Sequence, residues 1–297
     1  MGISKIYHIT RPPTSVFVTI HRFLIISYHK VGEFMDWFIN LNVIMQAFLA
    51  ASFTFLITAL GSAIVFCFKK VNKNLSDILL GVSAGIMLAA SYFSLLAPAI
   101  DQAINMAFLP YIIVPVGFLC GGLLLFLTDK IFSKLMAKQK KNETAKRIFL
   151  LVSSITIHNI PEGLSIGVAF GSIIYGLDSA TVLSALGLAI GIGLQNFPEG
   201  CAVSLPLRRE GMSRTKSFII GALSGIVEPI SAIIGALLVL KIKSIMPFLL
   251  SFAAGAMIFV VVEELIPESQ QNNNKNMITM YTLIGFIVMM ILDVALG

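Results

Sequence analysis

The sequence predicts an all-α membrane protein that crosses the bilayer eight times. Hydrophobic residues occupy 57% of the 297 positions, and charged residues occupy only 12%. The mean hydropathy of +0.92 is far above that of a soluble chain. Apolar segments of roughly 20 to 28 residues recur along the chain, which is the length that a helix needs to cross a membrane. The composition therefore excludes a protein made of two soluble domains.

Eight such segments follow one another from residue 43 onward. They lie at about 43–68, 76–100, 111–133, 147–171, 180–207, 215–240, 246–267 and 277–296. Fifteen of the 21 lysines and arginines lie in the loops after spans one, three, five and seven, or at the adjoining span ends. By the positive-inside rule these loops face the cytoplasm. We therefore expect a multi-pass protein of the cell membrane, with both termini on the outer side.

Residues 1–34 precede the transmembrane domain, which we place at residues 35–297. Residues 14–28 are apolar on average, but His21 and Arg22 interrupt them and the segment is short for a span. Two interpretations are open. The extension could be an amphipathic helix at the membrane surface, or it could lie upstream of a start at Met35.

Two similar hexapeptides, His-Asn-Ile-Pro-Glu-Gly and Gln-Asn-Phe-Pro-Glu-Gly, begin at residues 158 and 195, near the middle of spans four and five. In a helix the first, second and fifth positions of each hexapeptide share one face. These positions are His158, Asn159 and Glu162 in the first copy, and Gln195, Asn196 and Glu199 in the second. The repetition predicts two polar helix faces that act together.

Each hexapeptide also carries a proline at its fourth position. Pro161 and Pro198 have no N–H to donate to the carbonyls of Ile157 and Leu194. We expect both helices to be loosened at these points, beside their polar faces. Loosened helices related by a repeat at the membrane midplane usually mark a binding site of a transporter.

Carboxylates deep in the membrane are the second functional signal. Glu162, Glu199 and Glu228 lie near the centres of spans four, five and six, with no lysine or arginine at that depth. Such groups are costly unless a cation neutralises them. The alternative, that they are protonated and hydrogen-bonded to neighbouring helices, leaves the repeated hexapeptide unexplained. With His158 they form a mixed nitrogen and oxygen ligand set, which suits Zn²⁺, Fe²⁺, Mn²⁺ or Cd²⁺. The other acidic residues in the spans are Glu263 and Glu264, with Asp129 and Asp293 nearer the span ends.

Together these motifs resemble the ZIP (Zrt/Irt-like) family of divalent-metal transporters, in its bacterial-type branch. The resemblance rests on the two hexapeptides, on Val-Glu-Pro-Ile at 227–230 and on Glu-Glu-Leu-Ile-Pro-Glu at 263–268. It also includes residues 87–101 and covers roughly residues 35–297. It implies a 3+2+3 arrangement of eight helices with inverted repeats, a binuclear metal site between helices four and five, and a homodimer.

The resemblance also implies roles for individual residues. One metal position would use His158, Gln195, Glu162 and Glu199, and the other would use Asn159, Asn196, Glu162, Glu199 and Glu228. The transport pathway would include Met87, Ser94, Asp101, Glu263 and Glu264. Two departures from the family pattern matter. Asn196 stands where other members carry an aspartate, which weakens the expected second position. The loop at residues 134–146 lacks the histidine cluster that is frequent in the family.

The sequence therefore predicts a transporter that carries divalent metal, with Zn²⁺ foremost, into the cytoplasm. The metal is its substrate, and we expect no prosthetic group and no enzymatic activity. No nucleotide-binding loop or nucleic-acid motif is present, so we expect lipid and metal ions as partners, without ATP or nucleic acid. An intramembrane metal-dependent hydrolase is the alternative from another class, but it usually needs two or three histidines. A passive divalent-cation channel is also open. We expect residues 1–34 to be dispensable for transport.

Overall fold

The computed structural model describes residues 32–67, 73–137, 143–176, 180–270 and 275–296. The chain divides into two units, residues 1–42 and 43–297. In the first unit the described part contains a short helix, α1, over residues 32–39. The ring of Phe34 packs against those of Trp37 and Phe38, with centroids 5.6 and 6.2 Å apart. Residues 1–31, most of the predicted extension, lie outside the described residues.

The second unit consists of helices, and its described residues contain no β-strand. The all-α fold class is thereby confirmed. The helices are α2 (Val43–Ser62), α3 (Ile64–Cys67), α4 (Lys73–Ala90), α5 (Ala97–Asn105), α6 (Pro110–Ala137), α7 (Glu143–Ser172), α8 (Val182–Arg209), α9 (Arg214–Ser224), α10 (Val227–Lys241), α11 (Met246–Val260), α12 (Ile266–Ser269) and α13 (Lys275–Leu296). Short 3₁₀ turns lie at Ile173–Tyr175 and Lys243–Ile245.

Six helical stretches within the described residues are long and apolar enough to cross a membrane. They are Val43–Cys67, Asp77–Asn105, Pro110–Ile131, Arg214–Lys241, Lys243–Ser269 and Lys275–Leu296. Each coincides with one of the predicted spans. The predicted fourth and fifth spans fall on α7 and α8, the helices that carry the two hexapeptides. Neither helix is among the six stretches, and polar side chains such as Gln195, Asn196 and Glu199 lower the mean hydropathy of α8. The count of eight spans therefore stays a prediction.

Two of the apolar stretches contain a π-helical turn, which the sequence pattern did not predict. The first, Ser91–Leu96, joins α4 to α5, and the second, Val261–Leu265, joins α11 to α12. A proline follows each turn, Pro98 in α5 and Pro267 in α12. Since proline cannot donate to the carbonyl four residues earlier, it removes one α-helical hydrogen bond and favours the wider turn. π-turns inside helices are frequent at functional sites.

The connection between α8 and α9 is a tight turn whose geometry the sequence explains. Gly211 has φ = +91°, a conformation that glycine adopts without steric cost. Ser213 then caps α9, because its side chain accepts a hydrogen bond from the backbone N–H of Lys216. At the other end of α8, Thr181 and Ser184 form a reciprocal capping box.

The helices pack in four main pairs, α2 with α8, α7 with α10, α4 with α13, and α6 with α11. Glycines let the paired backbones touch. A Cβ atom at Gly200 would lie 2.0 Å from the carbonyl oxygen of Thr58, and one at Gly167 would lie 2.0 Å from that of Ala232. Small residues at such crossings are typical of membrane helices. The polar faces of α7 and α8 are therefore held by close backbone contacts.

Candidate metal centre

The two hexapeptides meet between α7 and α8. The side-chain amide of Gln195 donates a hydrogen bond to Oε1 of Glu162, and this bond joins the two copies directly. All six polar side chains of the hexapeptides are buried, and Glu199 is the most exposed of them at 9%. Both helices run without a break through Pro161 and Pro198. The expected loosening therefore does not interrupt either helix.

Three buried oxygen atoms in this region have no hydrogen-bond partner among the described residues. They are Oε2 of Glu162, Oε1 of Gln195 and Oδ1 of Asn159. The amide nitrogen of Asn159 is engaged, because it donates to the carbonyl of Ser224 at 3.1 Å. Buried acceptors normally find a donor, since leaving one unpaired costs free energy. A cation bound between the two helices could be coordinated by these three unpaired oxygens.

Glu228 on α10 brings a third carboxylate to the same region. Asn196 donates its amide N–H to Oε2 of Glu228 at 2.9 Å, so α8 and α10 are joined there. Glu228 is fully buried. Glu162, Glu199 and Glu228 are all buried, and three carboxyl groups in one buried region favour the binding of a positive ion.

A second cluster surrounds His158. Its Nδ1 atom lies 3.4 Å from Oε2 of Glu264, on the π-helical turn after α11. With Asp129 of α6, these residues offer three ligand atoms that all lie within 4.8 Å of one another. His158 lies one helical turn from Glu162 on α7, which places this cluster beside the central carboxylates. Nitrogen and oxygen donors at this spacing suit a transition-metal ion.

A cavity of about 250 Å³ opens near the other ends of the helices. Its lining includes Ser94, Asp101, Gln102 and Asp293. The hydroxyl of Ser94 donates to the carboxylate of Asp293, with distances of 2.9 and 3.1 Å to its two oxygens. Ser94 lies on the first π-helical turn. The cavity therefore brings two carboxylates, Asp101 and Asp293, to one space.

Two residues of the expected pathway lie elsewhere. Met87 is buried on α4 and does not line this cavity. Glu263 lines an apolar groove with Phe118 and Phe259, beside α6 and α11. The π-helical turn turns its neighbour Glu264 toward His158 instead.

The sequence interpretation did not assign a site role to Asp129, Asp293, Thr54 or Thr58. Asp129 and Asp293 were recognisable as acids inside apolar spans, which was the available signal. Nothing in the sequence pattern indicates a site role for Thr54 and Thr58, both on α2. Threonine is common in membrane helices, and its usual hydrogen bond is to a carbonyl of its own helix.

Comparison with known proteins identifies the family of the chain. Residues 139–293 match the family model described as ZIP Zinc transporter. The chain is 38% identical to zinc transporter ZIP11 of Homo sapiens, over 86% of this chain and 98% of that protein. It is 33% identical to zinc transporter ZIPB of Bordetella bronchiseptica, over 84% of this chain and 81% of that one. It is 29% identical to zinc transporter ZupT of Streptococcus mutans, over 83% and 96%. A family model that matches half the chain, and relatives covered almost from end to end, show that this protein belongs to the ZIP zinc transporter family.

Proposed function

We propose that this protein carries divalent transition-metal ions, with Zn²⁺ foremost, into the cytoplasm through the site between α7 and α8. The observation that carries the proposal is the set of three unpaired buried oxygens on Glu162, Gln195 and Asn159. Zinc is the named cargo of the relatives, and a mixed nitrogen and oxygen site suits it. In this proposal His158, Gln195, Glu162 and Glu199 hold the first ion. Asn159, Asn196 and Glu228 contribute to a second position.

The charge distribution and the acidic groups on either side of the central site support inward transport. Asp101 and Asp293 lie near span ends that the positive-inside rule puts outside, where their cavity can collect cations. Asp129 and Glu264 lie toward span ends that the same rule puts inside. His158 connects the two regions, because it lies one turn from Glu162 on α7 and 3.4 Å from Glu264. The metal would pass from the outer cavity to the central site and then to the inner cluster.

We further propose that α7 and α8 complete a bundle of eight spans in a 3+2+3 arrangement with inverted repeats. The packing supports this assignment because each helix pair has a counterpart in the other half of the chain. The pair α2 with α8 corresponds to α7 with α10, and α4 with α13 corresponds to α6 with α11. The π-helical turns at Ser91–Leu96 and Val261–Leu265 occupy matching places. A homodimer in the cell membrane, with both termini outside, belongs to the same proposal.

Two other functions fit the site less well. An intramembrane zinc hydrolase would need an open position for water on a metal held by two or three histidines. The central cluster has one, His158. The names of the relatives also point to a role that is not enzymatic. A passive channel would conduct without saturating, whereas a buried ligand set that binds the ion predicts saturation.

Uptake of radioactive zinc into proteoliposomes tests the proposal. Inward flux should saturate with zinc concentration, and unlabelled Fe²⁺, Mn²⁺ and Cd²⁺ added in turn should rank the competing metals. Empty liposomes provide the baseline. Flux that rises linearly without saturation would support a channel, and no flux above the baseline would refute metal transport.

Replacement of Asn196 should strengthen the second metal position. Two divalent ions bring more positive charge than three carboxylates can compensate, so the second ion is expected to bind weakly. In Asn196→Asp the added carboxylate faces Glu228 in place of an amide donor. We expect the second zinc to bind about tenfold more tightly in calorimetric titration of the purified protein. We expect slower release to limit turnover, so uptake should fall while binding improves. Equal affinity for both ions in the unmodified protein would contradict the charge argument.

A further inference from the structure

The carboxylate of Glu228 accepts hydrogen bonds from two neutral donors, and a third hydroxyl lies beside it. Oε2 accepts from the amide of Asn196 at 2.9 Å and from the hydroxyl of Thr54. Oε1 lies 3.4 Å from the hydroxyl of Thr58, whose single hydrogen can go either to this oxygen or to the carbonyl of Thr54 at 3.2 Å. All four side chains are fully buried. A charged acceptor is therefore stabilised here by donors that bring no positive charge.

Glu162 has a different environment, although it lies in the same buried region. Its Oε1 accepts one hydrogen bond from Gln195, and its Oε2 has no partner among the described residues. Hydrogen bonds and metal ions compete for the same lone pairs of a carboxylate. Glu162 thus presents a free oxygen to a cation, whereas Oε2 of Glu228 is occupied by two donors.

The position of the two hydroxyls is fixed by close helix packing. Thr54 and Thr58 are one turn apart on α2, so they share a face, and α2 packs against both α8 and α10. A Cβ atom at Gly225 would lie 2.9 Å from Oε1 of Glu228 and 3.2 Å from the side chain of Thr58. The glycine at this point leaves room for the carboxylate beside the threonine.

We propose that Thr54 and Thr58 are positioning residues that, with Asn196, keep Glu228 hydrogen-bonded and so restrict metal binding at the second position. The inference rests on the proposed function, because it concerns the affinity of the same site. It assigns to α2, which carries no ligand of its own, control over how many metal ions the site holds. Thr54 should matter more than Thr58, since it shares Oε2 with Asn196 and its contact is shorter.

The direction of the change in affinity follows from competition between the Thr54 hydroxyl and the second zinc ion for the lone pairs of Glu228. In the metal-free protein the hydroxyl of Thr54 stabilises the charged carboxylate, and binding of a second ion must displace it. Thr54→Val keeps the branched shape but removes the hydroxyl. The carboxylate is then less well stabilised before binding and has a free lone pair for the ion. The second zinc should therefore bind more tightly in the variant.

Calorimetric titration of the purified full chain with Zn²⁺ tests this inference. Thr54→Val should tighten the second zinc by about tenfold, with the first zinc unchanged, and Thr58→Val should give a smaller change in the same direction. Thr54→Ser retains a hydroxyl and should restore the original binding. The matched control is Thr282→Val, because the hydroxyl of Thr282 bonds only within its own helix, to the carbonyl of Ile278 at 3.2 Å.

The outcomes separate the two proposals. If the unmodified protein binds one zinc tightly, and Thr54→Val binds the second no more tightly than before, the role of Thr54 is refuted while the site stands. Weaker binding of the second zinc by Thr54→Val would also refute it, because the hydroxyl would then orient Glu228 for metal binding instead of restricting it. If the unmodified protein binds no zinc, both proposals fail. Thr58→Val provides an independent test if Thr54→Val does not fold, which size-exclusion chromatography will reveal.

Discussion

Glu199→Ala and Glu162→Ala are each expected to abolish zinc uptake while leaving the protein in the membrane. Each replacement removes a carboxylate from a buried region where three acids lie close together. Loss of one charged partner from a desolvated site costs about 3 kcal/mol or more, which corresponds to a binding constant at least a hundredfold weaker. Uptake into proteoliposomes at micromolar zinc should fall to the level of empty liposomes.

The matched control for these variants is Glu210→Ala. Glu210 immediately follows α8, the helix that carries Glu199, but it is exposed and outside the site. Its loss should leave uptake near that of the unmodified protein. Near-normal uptake by well-expressed Glu199→Ala would mean that this carboxylate is not a ligand, and the proposed site would have to be abandoned.

The sequence predicted those features that depend on local pattern. The eight apolar segments fall on helices, and the two hexapeptides, whose repetition predicts that they act together, are joined by the hydrogen bond between Gln195 and Glu162. Both predictions rest on periodicity and on the free-energy cost of polar groups in a membrane. These signals can be read from a single segment without knowing which helices pack against it. The same reasoning identified Glu228 as an unusual acid, but it could not say which residues surround it.

Features that depend on contacts between distant helices were not predictable. Thr54 and Glu228 are 174 residues apart, and their contact depends on how α2 and α10 are aligned along each other. Glycine contacts with backbone carbonyls align α2 with α8 and α7 with α10, and a single sequence does not reveal such contacts. The π-helical turns were missed for a related reason. A proline predicts the loss of a hydrogen bond, but the tertiary packing decides whether the helix kinks, breaks or widens.

Two adjacent glycines on α6 are expected to respond very differently to the same substitution. A Cβ atom at Gly121 would lie 1.9 Å from the carbonyl oxygen of Phe252 on α11, so the two backbones must separate. At Gly122 the nearest atom would be 3.5 Å away, an ordinary contact. Gly121→Ala should therefore lower the free energy of unfolding by about 3 kcal/mol. Gly122→Ala should change it by less than about 1 kcal/mol, because alanine also favours the helix.

Gly121→Ala should also disturb the cluster of Asp129, His158 and Glu264. Helix α6 carries Asp129, and α11 leads into the π-helical turn with Glu264, so their separation moves two of the three groups around His158. Thermal unfolding of the two variants in the same detergent measures the stability difference, and zinc uptake measures the functional one. Gly121→Ala should unfold at a lower temperature and transport more slowly, while Gly122→Ala should match the unmodified protein in both. Equal stability of the two variants would show that the α6–α11 contact is not as close as the structure places it, and the inner cluster would lose its structural basis.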